Sequence, residues 1–326
     1  MSTSPEKSPS DENPAPAAGA SDASGVSASE TVSTSETVSA SGTVSASGTV
    51  SASETGSSPA EVTYSELLYE VRGGVLQITI NRPERRNPIG ASTVGELLHA
   101  LHRAKHDPSV KVVVLTGAGK IFSAGGDLSQ MGGGGNPLQA GPAENRRAGT
   151  FVDLNLMLME QGLGKPTIAK VNGHAMAGGL GLVVACDLAI AADDAQFATP
   201  EINVGLWPMM IMATIFRNVP RKRAMELILT GDRIDAATAE RMGLITRAVP
   251  RERLDAEVQA LCDKICQKSP LVMQLGLDAF HKMQDMDLEP ALRLLEGELM
   301  RVLGTEDASE GLLAFLQKRP PTWKGR

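Results

Sequence analysis

From Val62 onward, apolar residues fall in short runs punctuated by Gly, Pro and Asn. Leu67–Arg72 and Val75–Ile80 are β-rich runs joined by Gly73-Gly74, a pattern that predicts a β-hairpin. Asn81–Pro88 reads as a loop. Val94, Leu97, Leu98 and Leu101 then recur at the helical period, with Ser92 as the expected cap. Lys111–Thr116 predicts a buried strand, Gly117–Gly126 a Gly-rich loop, and Asp127 is placed to cap a short helix. Gly132–Gly135 and Pro137–Pro142 predict a mobile loop. A helix is expected from Ala143 to Gly162 and a strand over Thr167–Val171. A second Gly-rich turn follows, then a small-residue helix, Gly178–Ala185, and a strand, Leu188–Ala191. From Pro208 the pattern is mostly helical, and the last long helix repeats Leu292, Leu295, Leu299 and Val302 on one side. Strands alternating with helices predict an α/β fold, here with an appended helical layer.

Residues 1–60 follow none of these periods. Five imperfect hexads run from Ser27 to Gly56, each with at most one Val and no other large apolar side chain. Such turns would bury too little to offset about 1–2 kcal/mol of backbone ordering per residue. The segment is expected to be a disordered, acidic, Ser/Thr-rich tail. It holds seven acids and one base, a charge of -6 out of the chain's -7, which leaves about -1 for the remainder. A near-neutral body gives no electrostatic case for nucleic acid as a partner. Hydrophobic content of 42% with only 3% aromatics calls for an aliphatic core. No apolar run approaches the roughly 18–20 residues of a membrane span. The N-terminus lacks the apolar core of a signal peptide. Cys186, Cys262 and Cys266 form no CxxC pair and are read as buried free thiols. A soluble, cytoplasmic protein is expected.

Three segments carry candidate chemistry. Gly119–Leu128 follows a predicted buried strand. Its Gly-rich turn can expose backbone N–H groups to an anion or oxyanion, or be a tight turn and nothing more. It is no phosphate loop, since Gly117 and Lys120 lie only three apart. Val171–Gly181 repeats the same device, with Gly178 at a helix start where the dipole favours negative charge. On its own it could serve close packing; two such turns in one domain favour a two-donor oxyanion hole. His174 in this turn reads as structural, and the other histidines show no metal-ligand spacing. In Ala198–Pro208, Glu201 sits between Pro200 and Ile202. A carboxylate among apolar neighbours has its pKa raised by desolvation, which suits a proton carrier near neutral pH.

In this order the three segments resemble the enoyl-CoA hydratase/isomerase (crotonase) superfamily. Asn81-Arg-Pro, Leu229–Ile234 with Ala239 and Gly243-Leu244, and the ending Glu306-Asp, Glu310-Gly, Ala314-Phe315 and Lys318-Arg319 add to the likeness. It spans Leu67 to the C-terminus. The resemblance implies a crotonase-like ββα spiral core, assigned here to residues 61–255. A C-terminal helical region over 256–326 would support homotrimers or hexamers. It implies oxyanion-hole amides at Gly126 and Gly178, and a coenzyme A site at Lys120 with the Phe122, Ser123 and Ala124 backbone. No separate cofactor is expected, because coenzyme A is part of the acyl-CoA substrate.

One departure bears on the reaction. Hydratases of the superfamily carry two glutamates. The position of the first is Gly181 here; that of the second is Glu201. A further acid in some relatives corresponds to Met209. The usual Gly-rich stretch after the third segment is replaced by Trp207–Met212, which predicts a bulkier, more apolar pocket. Moving a proton between C4 and C2 needs one carboxylate, whereas syn hydration usually needs a second group to hold water. The expected activity is therefore 3,2-enoyl-CoA isomerisation through Glu201. Hydration of 2-enoyl-CoA and noncatalytic acyl-CoA binding are the alternatives.

Overall fold

The computed structural model describes residues 62–127, 150–159 and 162–326. β1 (Leu67–Arg72) and β2 (Val75–Ile80) form the predicted hairpin, turning at Gly73 and Gly74, both at positive φ. β2 opens a six-stranded sheet of order β1-β2-β4-β7-β9-β12. Its further members are β4 (Val112–Gly117), β7 (Thr167–Val171), β9 (Leu188–Ala192) and β12 (Arg247–Val249), all running parallel to β2. Successive side chains point to opposite faces, and both faces are covered. Leu76, Ile78, Val113, Leu115 and Ala169 join the main core with helix α1 (Ala91–His106). Val112, Val114, Ile168 and Ile190 pack with Leu254, Val258 and Cys262 of a C-terminal helix. Two-sided burial accounts for the uninterrupted apolar run of β4.

A second sheet runs β11-β10-β8-β5, from β11 (Ile234–Asp235), β10 (Gln196–Ala198), β8 (His174–Met176) and β5 (Ile121–Ser123). β3 (Pro88–Ile89) and β6 (Gly125–Gly126) pair separately. The chain thus winds as a spiral. β2, β4, β7 and β9 of the large sheet are each followed by a strand of a smaller one. β7 leads to β8 and on to α3 (Gly178–Ala185) in this way. α2 (Phe151–Met159) packs on α1 and α3. Beyond β10 come α4 (Met209–Asn218), α5 (Arg221–Thr230), α6 (Ala236–Met242) and α7 (Leu254–Cys266). α8 (Pro270–Met283), α9 (Leu288–Leu303) and α10 (Glu306–Leu316) end the chain.

Several boundaries differ from the sequence expectation. α1 begins at Ala91 with Gly90, not Ser92, as its cap, and Thr93 Oγ1 accepts from the Gly90 N–H. Of the helix expected over 143–162, the described part is α2, residues 143–149 and 160–161 lie outside the described residues, and Gly162 lies in a turn. β4 starts one residue later than expected. The stretch after Pro208, expected to be mostly helical, is so apart from the short strands β11 and β12. Cys262 is buried, but Cys266 is only partly so. The 1–60 segment, the loop expected over 132–142 and the helix that Asp127 would cap lie outside the described residues. No described helix is long and apolar enough to cross a membrane.

Candidate active site

The first Gly-rich turn is built on the loop before it. Asn87 is fully buried in the left-handed conformation, at φ 53°. Its Nδ2 donates to the carbonyls of Ala118 (2.9 Å) and Ile121 (2.7 Å), and its Oδ1 accepts the Arg82 N–H. Ser123 Oγ donates to the Asn87 carbonyl at 2.8 Å and accepts the Gly125 N–H at 3.1 Å. Gly125 then turns at φ +93°, and the Asp127 N–H donates to Ile89 O at 3.1 Å. Neighbouring amides of an extended chain point in opposite directions. With Asp127 facing β3, the Gly126 N–H faces away from it.

The second turn lies close to it. A β-carbon placed on Gly178 would lie 3.8 Å from Gly126 N, and one on Gly125 would lie 3.2 Å from Gly178 N. The same Gly125 β-carbon would stand 2.6 Å from Ala177 Cβ, so the two turns approach only because Gly125 has no side chain. Gly178 is the first residue of α3, where a backbone N–H has no intrahelical partner. Ala177, just before it, holds φ 50° and ψ −127°, a conformation costly for a residue with a β-carbon. The two turns thus bring the Gly126 and Gly178 amides into one neighbourhood, the second at a helix start, where the dipole favours negative charge.

The chain leading to Glu201 leaves the second turn through β10. The Ala198 carbonyl at the end of β10 accepts the Ala177 N–H at 2.9 Å. Thr199, fully buried, donates through Oγ1 to Leu227 O, and a short helical turn over Pro200–Val204 then presents Glu201. Glu201 is half-buried, and its Oε2 is a buried oxygen with no hydrogen-bond partner in the protein. Burial raises its pKa above the ordinary 4.5, partly offset by a backbone hydrogen bond.

α4 closes the side of α3 that follows Gly178. Gly181, one turn further along, has Ile211 of α4 against it. A β-carbon there would overlap Ile211 Cγ2, lie 3.1 Å from Ile211 Cβ and lie 3.4 Å from Phe151 Cζ. Ile211 is 3% exposed. Phe151 also approaches Gly178, 3.8 Å from its β-carbon position, as does Ile89. No side chain fits at Gly181 while Ile211 stays. The rest of Trp207–Met212 departs from the expected apolar lining. Met209 and Met210 are exposed at 67% and 52%, and Trp207 Nε1 contacts Met212 Sδ at 3.4 Å.

The other expected positions divide by exposure. Lys120 is exposed at the turn after β4. Phe122 and Ser123 are fully buried, main chain included, and Ala124 is exposed. His174 Nδ1 accepts the Gln196 N–H at 3.1 Å, a structural use. Asn87 was missed by the sequence reading. Its signal lay in Asn81–Pro88, a polar loop with two prolines whose interior asparagine can adopt left-handed φ.

A family model described as Enoyl-CoA hydratase/isomerase matches residues 70–326. 2,3-Dehydroadipyl-CoA hydratase of Escherichia coli is 35% identical over 266 residues, covering 80% of this chain and 100% of that protein. Mitochondrial enoyl-CoA hydratase domain-containing protein 3 of Xenopus laevis is 35% identical over 251 residues, 77% of this chain and 83% of that one. The crystal structure of the human enoyl-CoA hydratase domain-containing protein 3 is 32% identical. It superimposes with a TM-score of 0.73 over 79% of this chain and 100% of its own.

Proposed function

The chain belongs to the enoyl-CoA hydratase/isomerase family, and from that premise we propose that it binds an acyl-CoA thioester through the Gly126 and Gly178 amides and moves a proton at C2 with Glu201. Charge develops on the thioester oxygen as the C2 proton leaves. Each well-aimed donor contributes about 2.7–4 kcal/mol to stabilising such an oxyanion. The carboxylate of Glu201, half-buried with one unpartnered oxygen, suits a group that must accept and return a proton near neutral pH. Of the expected coenzyme A positions, the exposed Lys120 and Ala124 are assigned to it, while the fully buried Phe122 and Ser123 form the turn beneath them.

The reaction favoured is isomerisation of a 3-enoyl to a 2-enoyl thioester. The observation that carries it is the packing of Ile211 and Phe151 against Gly181. One carboxylate serves both ends of a proton shift, whereas water addition needs a second polar group. At Gly181 the space for such a group is occupied by hydrocarbon. Hydration is the second reading, favoured by relatives named as hydratases. The test is product analysis with 3-enoyl- and 2-enoyl-CoA. Isomerase stands if the double bond moves without release of 3-hydroxyacyl-CoA; accumulation of 3-hydroxyacyl-CoA establishes hydratase. If Glu201→Gln binds acyl-CoA like the wild type and neither exchanges C2 protons with solvent, the protein is a binder.

A homotrimer or hexamer is proposed on the same premise. Leu288, Leu292 and Leu299 of α9 and Phe315 and Leu316 of α10 leave much of their surface uncovered in the single chain.

A further inference from the structure

A chain of ion pairs lies behind the first turn, and proton transfer by Glu201 makes no use of it. Asp127, the residue after Gly126, is 4% exposed. Its carboxylate meets Arg82 Nη1 at 3.4 Å and Arg85 Nη2 at 3.2 Å. Arg82 Nη1 also reaches Glu66 Oε1 at 3.2 Å. Glu66 accepts from the Thr93 hydroxyl at its other oxygen. The Arg82 side chain is 12% exposed, while that of Arg85 is 45% exposed. The Arg82 backbone N–H donates to Asn87 Oδ1 at 2.9 Å, and Asn87 ties the loop to β5.

We propose that Arg82 and Asp127 are positioning residues that hold the Gly126 amide in its donor orientation and keep the negative charge beside it neutralised. The proposal rests on the reading that Gly126 and Gly178 bind the thioester oxygen. Two effects coincide at Asp127. Its N–H is fixed to Ile89 O and its carboxylate to Arg82, so the residue following Gly126 is held at both ends. Its carboxylate also belongs to the residue next to the amide that receives an enolate oxygen. An uncompensated carboxylate there opposes the same negative charge the amides stabilise. Arg82 is the more buried of its two cationic partners and is screened least by water.

This makes a prediction that a purely structural ion pair does not. Arg82→Gln leaves Asp127 and Glu66 without their shared cation and should be more harmful than Arg82→Gln combined with Asp127→Asn. The probe is butyryl-CoA, a saturated thioester, labelled with ¹³C at the carbonyl, and the readout is the infrared shift of that carbonyl on binding. Wild type should lower the band. Arg82→Gln should lose much of that shift, with kcat down about 10–100-fold and KM changed by less than about threefold. The double variant should regain part of both, and Arg82→Lys should fall between. If Arg82→Gln does not fold, Arg82→Lys and Asp127→Asn carry the same comparison, with both expected to weaken the shift. A full carbonyl shift with normal kcat in folded variants, a loss confined to KM, or a double variant no better than the single overturns the proposal. If the wild type itself shows no shift, the amide-pair reading fails and this proposal with it.

Discussion

The Ala177 N–H donates to the Ala198 carbonyl at 2.9 Å, which fixes the residue before the second amide to the strand end that leads into Glu201. One bond thereby couples the proposed donor pair to the segment that carries the proposed proton carrier. Ala177 holds this bond at φ 50° and ψ −127°. Only a glycine adopts that region without strain. Ala177→Gly should therefore be at least as stable as the wild type in urea denaturation, since relief of strain offsets the added freedom of the unfolded chain. Ala177→Val, branched at Cβ, should lose about 2 kcal/mol or more. Equal stability of the two variants would show that the turn relaxes freely and is not held by the Ala198 bond.

Much of this site could be read in the sequence because it is made of glycines at strand ends. β2, β7 and α3 begin and end where the patterns of Val75–Ile80, Thr167–Val171 and Gly178–Ala185 place them, since apolar runs and Gly-rich breaks are local signals. The approach of Gly125 to Ala177 is not local. It depends on β5 and β8 lying side by side, which no period in either segment encodes. The packing of Ile211 against Gly181 is likewise a contact between helices. Apolar bulk is expected over Trp207–Met212 from residue type, but only the fold shows that Ile211 turns inward while Met209 and Met210 turn out. Ser92 was expected as the cap of α1 from residue type. The chain enters that helix at Gly90 because β3 ends there, paired with β6.

The exposed apolar face of α9 and α10 makes a second prediction. Leu292 and Leu299 are 58% and 52% exposed, yet they lie on the side that the helical repeat marks as apolar. If this face is buried between copies of the chain, Leu292→Glu with Leu299→Glu should lower the mass seen by light scattering while leaving the far-ultraviolet circular dichroism of the chain intact. A monomeric wild type would remove the oligomer proposal.

Gly181 and Ile211 should behave as a coupled pair. Gly181→Ala forces a methyl into Ile211 and should cost about 1–3 kcal/mol by overpacking. Ile211→Ala leaves a cavity and should cost about 2–5 kcal/mol. Combined, the two should cost less than the sum, because the new methyl lies 3.1 Å from Ile211 Cβ, an atom alanine keeps, and fills part of the vacated space. Strict additivity in a double-mutant cycle would contradict the contact.

Glu201 should reveal its environment through pH. Burial raises its folded pKa above the ordinary value of 4.5, so the folded protein holds this proton more tightly than the unfolded chain does. Its contribution to stability is then fully present below the unfolded pKa and is lost as pH rises through the folded value. Glu201→Gln has no such loss. Relative to wild type, the variant should gain stability as pH rises through that window and stay ahead at neutral pH, by an amount that urea denaturation at a series of pH values would measure. Activity should mirror it with the opposite sense. A base must be ionised to take the C2 proton, so the acid limb of kcat/KM in the wild type should lie above pH 4.5 and disappear in Glu201→Gln. The residual rate of the variant should be about 10²–10⁴-fold lower. Deuterium exchange at C2 should fall in parallel, because it uses the same transfer. An acid limb that persists unchanged in the variant would assign the titration, and the proton, to another group.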